Sequence, residues 1–295
     1  MSSISRRDFV ALATGALLAG PAHAESQGAL ITRAIPGSGE RLPAVGLGTA
    51  YVFDHDSDKT RRAAAEVVRT LIDGGGRLID TASTYGDAET VLGVALAGTR
   101  DKAFIATKLE TPDADELKRS LARLKTAKLD LLQLHNVRDP QQSLAQFKKW
   151  KEQGICRYIG ITSTFHGDFD AVEAVLKRER PDFVQIDYSL DDRLAQQRIL
   201  PLAAELEAGV LTAQPVGRGR LFRAVRGKPA PDWAADFAGN WAAFFLKYLI
   251  ADERVTAVIP GTADPLHMTE NLAAMQGKLP DPEQRKRMEA FVATL

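Results

Sequence analysis

The stretch RLIDTASTYGDAETVLGVAL (residues 77–96) contains a complete strand–loop–helix unit. Its first four residues form a short, mainly apolar run that ends at Asp80, and residues 88–98 have the spacing of an amphipathic helix. The loop between them carries a phenol, Tyr85, among small and acidic residues. The unit therefore raises two questions: whether it repeats, and whether its loop only caps a helix or holds a chemical group.

The unit repeats along the chain. Apolar runs that predict strands occur at 45–49, 77–80, 103–108, 129–135, 157–162, 182–189, 210–215 and 255–260. Each is followed by a helical pattern, as expected for parallel strands that are buried on both faces. Eight such units predict an α/β fold, a (β/α)8 TIM barrel. The alternative is a doubly wound open sheet, but VGLGTAYVFD (45–54) lacks the third glycine of a dinucleotide-binding turn.

The rest of the chain fits a single barrel domain over residues 25–295. Residues 29–44, ALITRAIPGSGERLPA, predict an N-terminal β-hairpin that closes the bottom of the barrel. Continuous helices are predicted over 194–209 and 233–252, and Ser57 is predicted to cap the helix that follows the first barrel strand. No linker indicates a second domain.

The first 24 residues have the pattern of an export signal. Arg6 and Arg7 precede an apolar run over 9–20 and the triplet Ala22-His23-Ala24, which resembles a signal-peptidase site. The paired arginines resemble a twin-arginine signal peptide, and the run is too short to span a bilayer comfortably. The alternative is an amphipathic helix on a lipid surface. Cleavage would place the mature protein in the periplasm or otherwise outside the bacterial cytoplasm, with no integral membrane segment.

Composition narrows the classes of partner. Lysine plus arginine and aspartate plus glutamate are equal, at 38 each, so no overall field attracts nucleic acid or an anionic membrane. Cys156 is the single cysteine, which excludes an intrachain disulfide, and its setting predicts a buried strand thiol. The acidic run at 54–58 lacks the glycine and glutamate of a calcium loop, so no metal site is predicted. We expect a monomer that binds a small-molecule substrate.

Ionisable side chains lie where the predicted strands end. Asp80 ends the second strand with Tyr85 in the loop beyond it, Lys108 ends the third and His135 ends the fourth. The active site of a (β/α)8 barrel lies at this edge, so the four groups are predicted to meet. Alone, each has an ordinary explanation: a helix cap, a surface lysine, a core histidine or a packed aromatic ring.

Together the four groups suit one chemistry. A phenol with a pKa near 10 is a poor acid at neutral pH, and a nearby ammonium lowers that pKa. Lys108 would supply the ammonium, Asp80 its counter-ion, and His135 a hydrogen bond that orients a carbonyl oxygen. The set predicts protonation of a carbonyl oxygen by Tyr85 while another group delivers hydride.

The segments RLIDTASTYGDAETVLGVAL, FIATK, LDLLQLHN, RYIGIT and VIPGT, with ENLAA further on, resemble the aldo-keto reductase family over essentially the whole mature chain. That resemblance implies a barrel that binds NADPH, or less often NADH, without a Rossmann domain. It implies Tyr85 as general acid, Lys108 as the group that lowers its pKa, Asp80 as the partner of Lys108, and His135 as the group that orients the substrate.

The resemblance also implies the cofactor contacts. A polar pair after the fifth strand and a carboxamide in the sixth would hold the nicotinamide, and QPVGRGRLF (214–222) would grip the pyrophosphate; the alternative for that loop is a glycine-rich surface turn. The predicted cofactor-binding residues are Gly48, Thr49, Asp80, Thr162, Ser163, Gln185, Pro215, Gly217, Arg218, Gly219, Gly261, Thr262, His267, Glu270 and Asn271.

Three features depart from the family pattern. The aromatic residue that commonly stacks on the nicotinamide corresponds to Ala213 or Gln214, and the lysine and arginine at the 2′-phosphate correspond to Gly261 and His267. Ser163 also stands where the family usually has asparagine. NADP(H) is expected ahead of NAD(H) from the family, and the missing cations weaken that expectation.

These features predict an exported NAD(P)H-dependent aldo-keto reductase that acts on aldehydes or ketones. The alternative is a nicotinamide-nucleotide-binding sensor on the same barrel, without turnover. A barrel hydrolase or isomerase is disfavoured because clustered histidines and a carboxylate pair are lacking. Tyr51 and His135 are predicted at the substrate, with Phe53, His166 and Trp233 as further candidate walls.

Overall fold

A computed structural model describes residues 29–137 and 139–295. The predicted signal peptide, residues 1–24, lies outside the described residues. The strands are β1 Thr32–Ala34, β2 Arg41–Pro43, β3 Leu47–Gly48, β4 Leu78–Asp80, β5 Phe104–Leu109, β6 Leu129–His135, β7 Cys156–Ser163, β8 Phe183–Asp187, β9 Gly209–Ala213 and β10 Ala257–Val258. The helices are α1 Asp58–Asp73, α2 Ala88–Ala95, α3 Ala114–Arg123, α4 Pro140–Glu152, α5 Phe169–Glu179, α6 Leu194–Gln197, α7 Ile199–Glu205, α8 Arg220–Ala224, α9 Trp241–Ile250, α10 Pro265–Leu272 and α11 Pro282–Val292.

Strands β3 to β10 form a parallel sheet in chain order that closes on itself. Parallel bridges join Val45 to Val258 and Gly48 to Gly261, which connects the last strand to the first. The close approach requires a glycine, because a Cβ on Gly48 would lie 2.9 Å from the carbonyl oxygen of Ile259. The predicted (β/α)8 barrel is confirmed.

The interior of the barrel changes from apolar to polar towards the carboxyl ends of the strands. Alternate residues of a strand point to the same side, so Leu78 and Asp80 on β4 both face inwards. The apolar layer below contains Ile35, Leu42, Leu78, Phe104, Ala106, Leu131, Tyr158, Phe183, Leu211, Ala257 and Ile259. Next along the strands come the buried polar side chains of Asp80, Lys108, Gln133 and Gln185. A polar floor therefore lies directly below the mouth.

The N-terminal hairpin seals the opposite end. Strands β1 and β2 pair antiparallel, with Arg33 opposite Leu42. Ile35 and Leu42 are 1% and 0% exposed and belong to the same apolar cluster as the barrel interior. The hairpin predicted from residues 29–44 is confirmed, and burial of its two apolar side chains explains why it covers this end.

Local signals in the sequence account for several helix boundaries. Ser57 caps α1 as predicted, because its hydroxyl accepts a hydrogen bond from the N–H of Thr60. The helix predicted over 194–209 is instead two helices, α6 and α7, since Pro201 lacks an N–H and cannot continue a helix from the preceding turn. The helix predicted from residue 233 begins only at Trp241, because Asn240 is extended and caps it through the N–H of Ala243.

Two further sequence inferences can be compared with the structure. Cys156 is buried at the start of β7, and burial raises the pKa of its thiol to about 12, which agrees with an unreactive strand cysteine. Within residues 29–137 and 139–295, none of the helices is long and apolar enough to cross a membrane.

Candidate active site

A buried ion pair lies at the centre of the barrel mouth. The Nζ atom of Lys108 on β5 donates hydrogen bonds to Oδ2 of Asp80, at 2.6 Å, and to the carbonyl oxygen of Thr81, at 2.8 Å. Lys108 is 1% exposed and Asp80 is 3% exposed. The Nε2 atoms of Gln133 and Gln185 each lie 3.3 Å from a different oxygen of Asp80. The carboxylate is therefore fixed by three side chains from the strands facing it.

The Asp80 carboxylate keeps Lys108 in its charged, ammonium form below the mouth of the barrel. Burial alone lowers the pKa of Lys108, but its interactions with the Asp80 carboxylate and with Tyr85 outweigh burial and hold that pKa above its ordinary value. Burial raises the pKa of Asp80, against the opposing effect of Lys108. We conclude that the lysine remains an ammonium group at neutral pH, held in place by its counter-ion.

Tyr85 lies between this ammonium and an imidazole. Its ring centre is 5.0 Å from Nζ of Lys108 and 5.8 Å from the ring centre of His135, which it meets edge to face. Burial raises the pKa of Tyr85 and Lys108 lowers it, and burial has the larger effect. Lys108 thus lowers the pKa of Tyr85, as the sequence predicts, but the net pKa lies above the ordinary phenol value because the effect of burial is larger. A phenol in this setting is protonated at neutral pH and can donate a proton.

His135 ends β6, at the rim of the cavity. It lies opposite Thr162 on β7, and its Nδ1 atom is 3.3 Å from the hydroxyl of Thr84. The loop that presents Tyr85 also contains Thr84, so this contact couples the orientation of the imidazole to the position of the phenol. The four predicted catalytic side chains thus meet in one place.

A cavity of about 1140 Å³ opens above these groups. It is large enough for an extended dinucleotide together with a small substrate. Its wall contains the following predicted site residues: Gly48, Thr49, Tyr51, Asp80, Tyr85, His135, Thr162, Gln185, Pro215, Arg218, Gly219, Gly261, Thr262, His267, Glu270 and Asn271.

Three predicted site residues do not line the cavity wall. Lys108 lies within the floor, in contact with Asp80. Ser163 is fully buried, with its hydroxyl donating to Asp168 at 2.7 Å, so a contact with a nicotinamide carboxamide would require that side chain to turn. Gly217 adopts a φ of +58° within the loop, and a Cβ there would lie 2.9 Å from the guanidinium of Arg220.

Three candidate substrate walls are wrong. Phe53 is 0% exposed in the core around the barrel, and Trp233 packs edge to face on Phe244 at 5.8 Å. The imidazole of His166 points to Asp192, with Nε2 3.0 Å from Oδ2. None of the three belongs to the cavity wall.

Other residues that the sequence reading missed line the wall instead: Glu110, Asn136, Phe165 and Phe222. Two of them could have been found from position alone. Glu110 comes directly after β5 and Asn136 directly after β6, which is where a barrel presents side chains to its mouth.

The residues present fit a nicotinamide dinucleotide. The buried hydroxyl of Thr49 has no hydrogen-bond partner in the described part of the chain, so the wall offers it to a ligand. Gly48 and Gly261 expose backbone at the join between the first and last strands. The loop after β9 has positive φ at Gln214, Gly217, Arg218 and Gly219, a backbone form that turns N–H groups towards an anion.

The closed barrel, with a phenol and a buried ammonium group at the carboxyl ends of its strands, has the architecture of a (β/α)8 enzyme. Residues 44–293 match the model of the aldo/keto reductase family, and the chain belongs to that family.

Relatives and solved structures agree with this assignment. The chain is 29% identical to the methylglyoxal reductase YeaE of Escherichia coli (strain K12) over 263 residues, which covers 85% of this chain and 92% of that protein. It is 30% identical to an aldo-keto reductase of Mycolicibacterium smegmatis over 245 residues, covering 78% and 81% of the two chains. An aldo/keto reductase of Klebsiella pneumoniae, solved with NADP and acetate, superposes with a TM-score of 0.76 at 27% identity, covering 88% of this chain and 95% of that one.

Proposed function

We propose that this protein is an NAD(P)H-dependent oxidoreductase that reduces the carbonyl group of an aldehyde or ketone. The observation that carries the proposal is the Tyr85 phenol beside the buried Lys108–Asp80 pair, at the wall of a cavity large enough for cofactor and substrate. The methylglyoxal reductase of E. coli and the NADP complex of the K. pneumoniae enzyme support the same reaction.

The roles of the side chains follow from their geometry. Tyr85 donates its O–H proton to the carbonyl oxygen, and the negative charge that develops on the phenolic oxygen is stabilised by the ammonium of Lys108. Asp80 keeps that ammonium charged and in position. His135, at the rim, orients the carbonyl oxygen. A reduced nicotinamide supplies the hydride when it is bound.

Residues of the same wall support a binding mode for the cofactor. Gln185 and Thr162 would bind the nicotinamide carboxamide, the loop around Arg218 the pyrophosphate, and Thr262, Glu270 and Asn271 the adenosine. We propose NADP(H) ahead of NAD(H), on the strength of K. pneumoniae structures solved with NADP and with NADPH.

Tyr85→Phe tests the assigned acid. The variant is expected to lose at least about 10²-fold in kcat, measured by NADPH absorbance over an aldehyde panel, while it still binds cofactor. Tyr158→Phe is the matched control, since that phenol bonds to Ser38 and Glu40 at the other end of the barrel. Undiminished activity in Tyr85→Phe would refute the assignment.

A nicotinamide-nucleotide sensor is the second candidate. Two observations favour it: Ala213 occupies the wall where a stacking aromatic is expected, and the hydroxyl of Ser163 is bonded to Asp168. Tight binding of NADPH by the wild-type protein, together with no turnover of any carbonyl in the panel, would support the sensor and exclude the reductase.

We also propose that the protein is exported through a twin-arginine signal in residues 1–24 and acts as a monomer in the periplasm. The pattern of Arg6, Arg7 and the apolar run supports export. Replacing both arginines by lysine should keep the protein in the cytoplasmic fraction. N-terminal sequencing of the exported protein should begin at Glu25, and light scattering should give the mass of a single chain.

A further inference from the structure

We infer that the substrates are uncharged, hydroxyl-bearing aldehydes or ketones, selected by Glu110 and Asn136, and that carboxylate-bearing carbonyl compounds are rejected. This inference rests on the proposed reductase function and specifies the substrate class of the same site.

Glu110 and Asn136 flank the reacting groups because of the strand register. Leu109 pairs with Leu134 across β5 and β6, so the next residues, Glu110 and His135, lie at the same level of the barrel. Asn136 follows one residue later, and both side chains reach the cavity wall. A carbonyl compound placed against Tyr85 and His135 therefore extends towards these two residues.

Both side chains are available to a ligand. In the described residues, neither Glu110 nor Asn136 has a side-chain hydrogen bond or an ion pair, although both are partly buried. A carboxylate or carboxamide removed from water without a partner is costly, and a bound hydroxyl group would relieve that cost. The Glu110 carboxylate accepts hydrogen bonds, whereas the Asn136 carboxamide both donates and accepts, so together they suit vicinal hydroxyl groups.

The local charge disfavours an acid. Asp54, from the loop after β3, lines the same cavity, and its Oδ2 atom lies 3.9 Å from Nε2 of the exposed His55. Arg218, on the loop after β9, binds the pyrophosphate in the proposed binding mode, and the charge of Lys108 is balanced by Asp80. A substrate carboxylate near Glu110 would meet like charge in a partly desolvated setting.

The remaining surface suits the C–H faces of a hydroxylated compound. Tyr51 and Phe165 line the mouth with exposed aromatic rings, at 79% and 59% exposure. Aromatic rings cover the apolar face of a polyhydroxylated molecule while polar groups bind its hydroxyls. The rings of Tyr51 and Phe165, together with the polar side chains of Glu110 and Asn136, therefore favour hydroxylated carbonyl compounds over long aliphatic aldehydes.

Two matched substrate pairs test the inference in the full chain with NADPH. Glyceraldehyde against propanal measures the value of the hydroxyl groups. The ratio of 4-carboxybenzaldehyde to 4-nitrobenzaldehyde combines the penalty for negative charge with the higher reactivity of the nitro compound, so the charge penalty is taken from the change in this ratio on Glu110→Gln. Wild type should favour glyceraldehyde and the nitro compound, each by at least about tenfold in kcat/KM, as expected for one or two hydrogen bonds or one charge contact.

Variants assign those preferences to the two residues. Glu110→Gln should raise the carboxy-to-nitro ratio by about tenfold, whereas Glu110→Asp should retain the penalty. Asn136→Gly should lower the glyceraldehyde-to-propanal ratio, and glycine tolerates the φ of +62° at this position. Glu205→Gln, at an exposed position of α7, is the control and should change neither ratio.

The outcomes separate the two hypotheses. A wild-type preference for propanal, or a carboxy-to-nitro ratio that Glu110→Gln leaves unchanged in a variant with normal thermal unfolding, overturns the inference alone. Failure of the wild-type protein to reduce any carbonyl compound, with NADPH bound, overturns the proposed function instead.

Discussion

The Nζ atom of Lys108 lies 2.6 Å from Oδ2 of Asp80, and both side chains are almost fully excluded from solvent. The same ammonium lies 5.0 Å from the ring centre of Tyr85. The pair therefore has two separable roles: it sets the electrostatic environment of the phenol, and it balances two charges inside the barrel. Substitutions can distinguish these roles.

Lys108→Met is expected to reduce kcat by at least about 10²-fold, because the charge developing on Tyr85 loses its stabilising cation. A general acid works when protonated, so reduction in the wild type should decline as pH rises through the Tyr85 pKa, which burial places above the ordinary phenol value. Without Lys108 that decline should move to still higher pH. A pH–rate profile measures both effects, and a wild-type profile in the variant would contradict the role of the lysine.

The stability of the ion pair gives a second prediction. Lys108→Met alone leaves a buried carboxylate without its counter-ion and should cost about 3–5 kcal/mol in the free energy of unfolding. Adding Asp80→Asn removes that charge, so the double variant should regain most of the loss while its activity stays low. Urea unfolding measures the change. If the losses of unfolding free energy in the single variants Lys108→Met and Asp80→Asn simply added up in the double variant, the two residues would not act as a pair.

The position of the candidate catalytic groups was predictable because two independent signals coincided. Each residue ends a predicted strand or follows one, and the residue types make chemical sense only together. Tyr85 and His135 lie in the contact that this reasoning implied. The barrel was equally readable, because strand burial on both faces leaves a continuous apolar run.

The remaining features depend on tertiary contacts that no local pattern encodes. Glu89 lies in the first turn of α2, where an acid suits the positive end of a helix, yet it is buried and accepts a hydrogen bond from Thr107. The walls of the cavity come from loops, whose side-chain directions carry no sequence period. Phe53 and Phe165 are the same residue type in comparable loops, and one is core while the other is exposed. By contrast, the start of α9 at Trp241 could have been predicted from the sequence, since Asn240 is a residue type that commonly caps helices.

Asp187, at the end of β8, predicts a pH-dependent stability. Burial, reinforced by Asp192, raises its pKa from an ordinary 3.8 to about 6, and its buried Oδ1 has no hydrogen-bond partner in the described residues. The fold thus favours the protonated form, and this contribution to stability is complete below about pH 4 and lost as pH rises through about 6. Asp187→Asn should stabilise the protein at pH 8 by roughly 1 kcal/mol, after allowance for solvent screening, with no gain at pH 4.

Thermal unfolding at the two pH values measures this difference, and Asp252 supplies the opposite case. Burial tends to raise the pKa of Asp252, but hydrogen bonds from Arg254 hold it below its ordinary value. Asp252→Asn should therefore lower stability at pH 8. Equal effects of the two substitutions would contradict the assigned environments.

The cofactor preference depends on the N-terminus of α10. An anion could bind there, but the Asp264 carboxylate already accepts the N–H of Leu266, at 2.8 Å, and Pro265 has no N–H to offer. Among the described residues of the cavity wall, Arg218 is the only lysine or arginine. In the proposed binding mode its guanidinium already binds the pyrophosphate. A 2′-phosphate therefore meets few cations in the wild-type protein.

His267→Arg on α10 should supply the missing charge. We expect the Kd of NADPH to fall by about tenfold, with that of NADH changed by less than about twofold, because only NADPH carries the 2′-phosphate. Titration of tryptophan fluorescence measures both constants, and the gain should shrink as salt increases. Ala204→Arg adds the same charge at an exposed position of α7 as a control. Equal tightening of both cofactors would show that residue 267 does not lie at the 2′-phosphate.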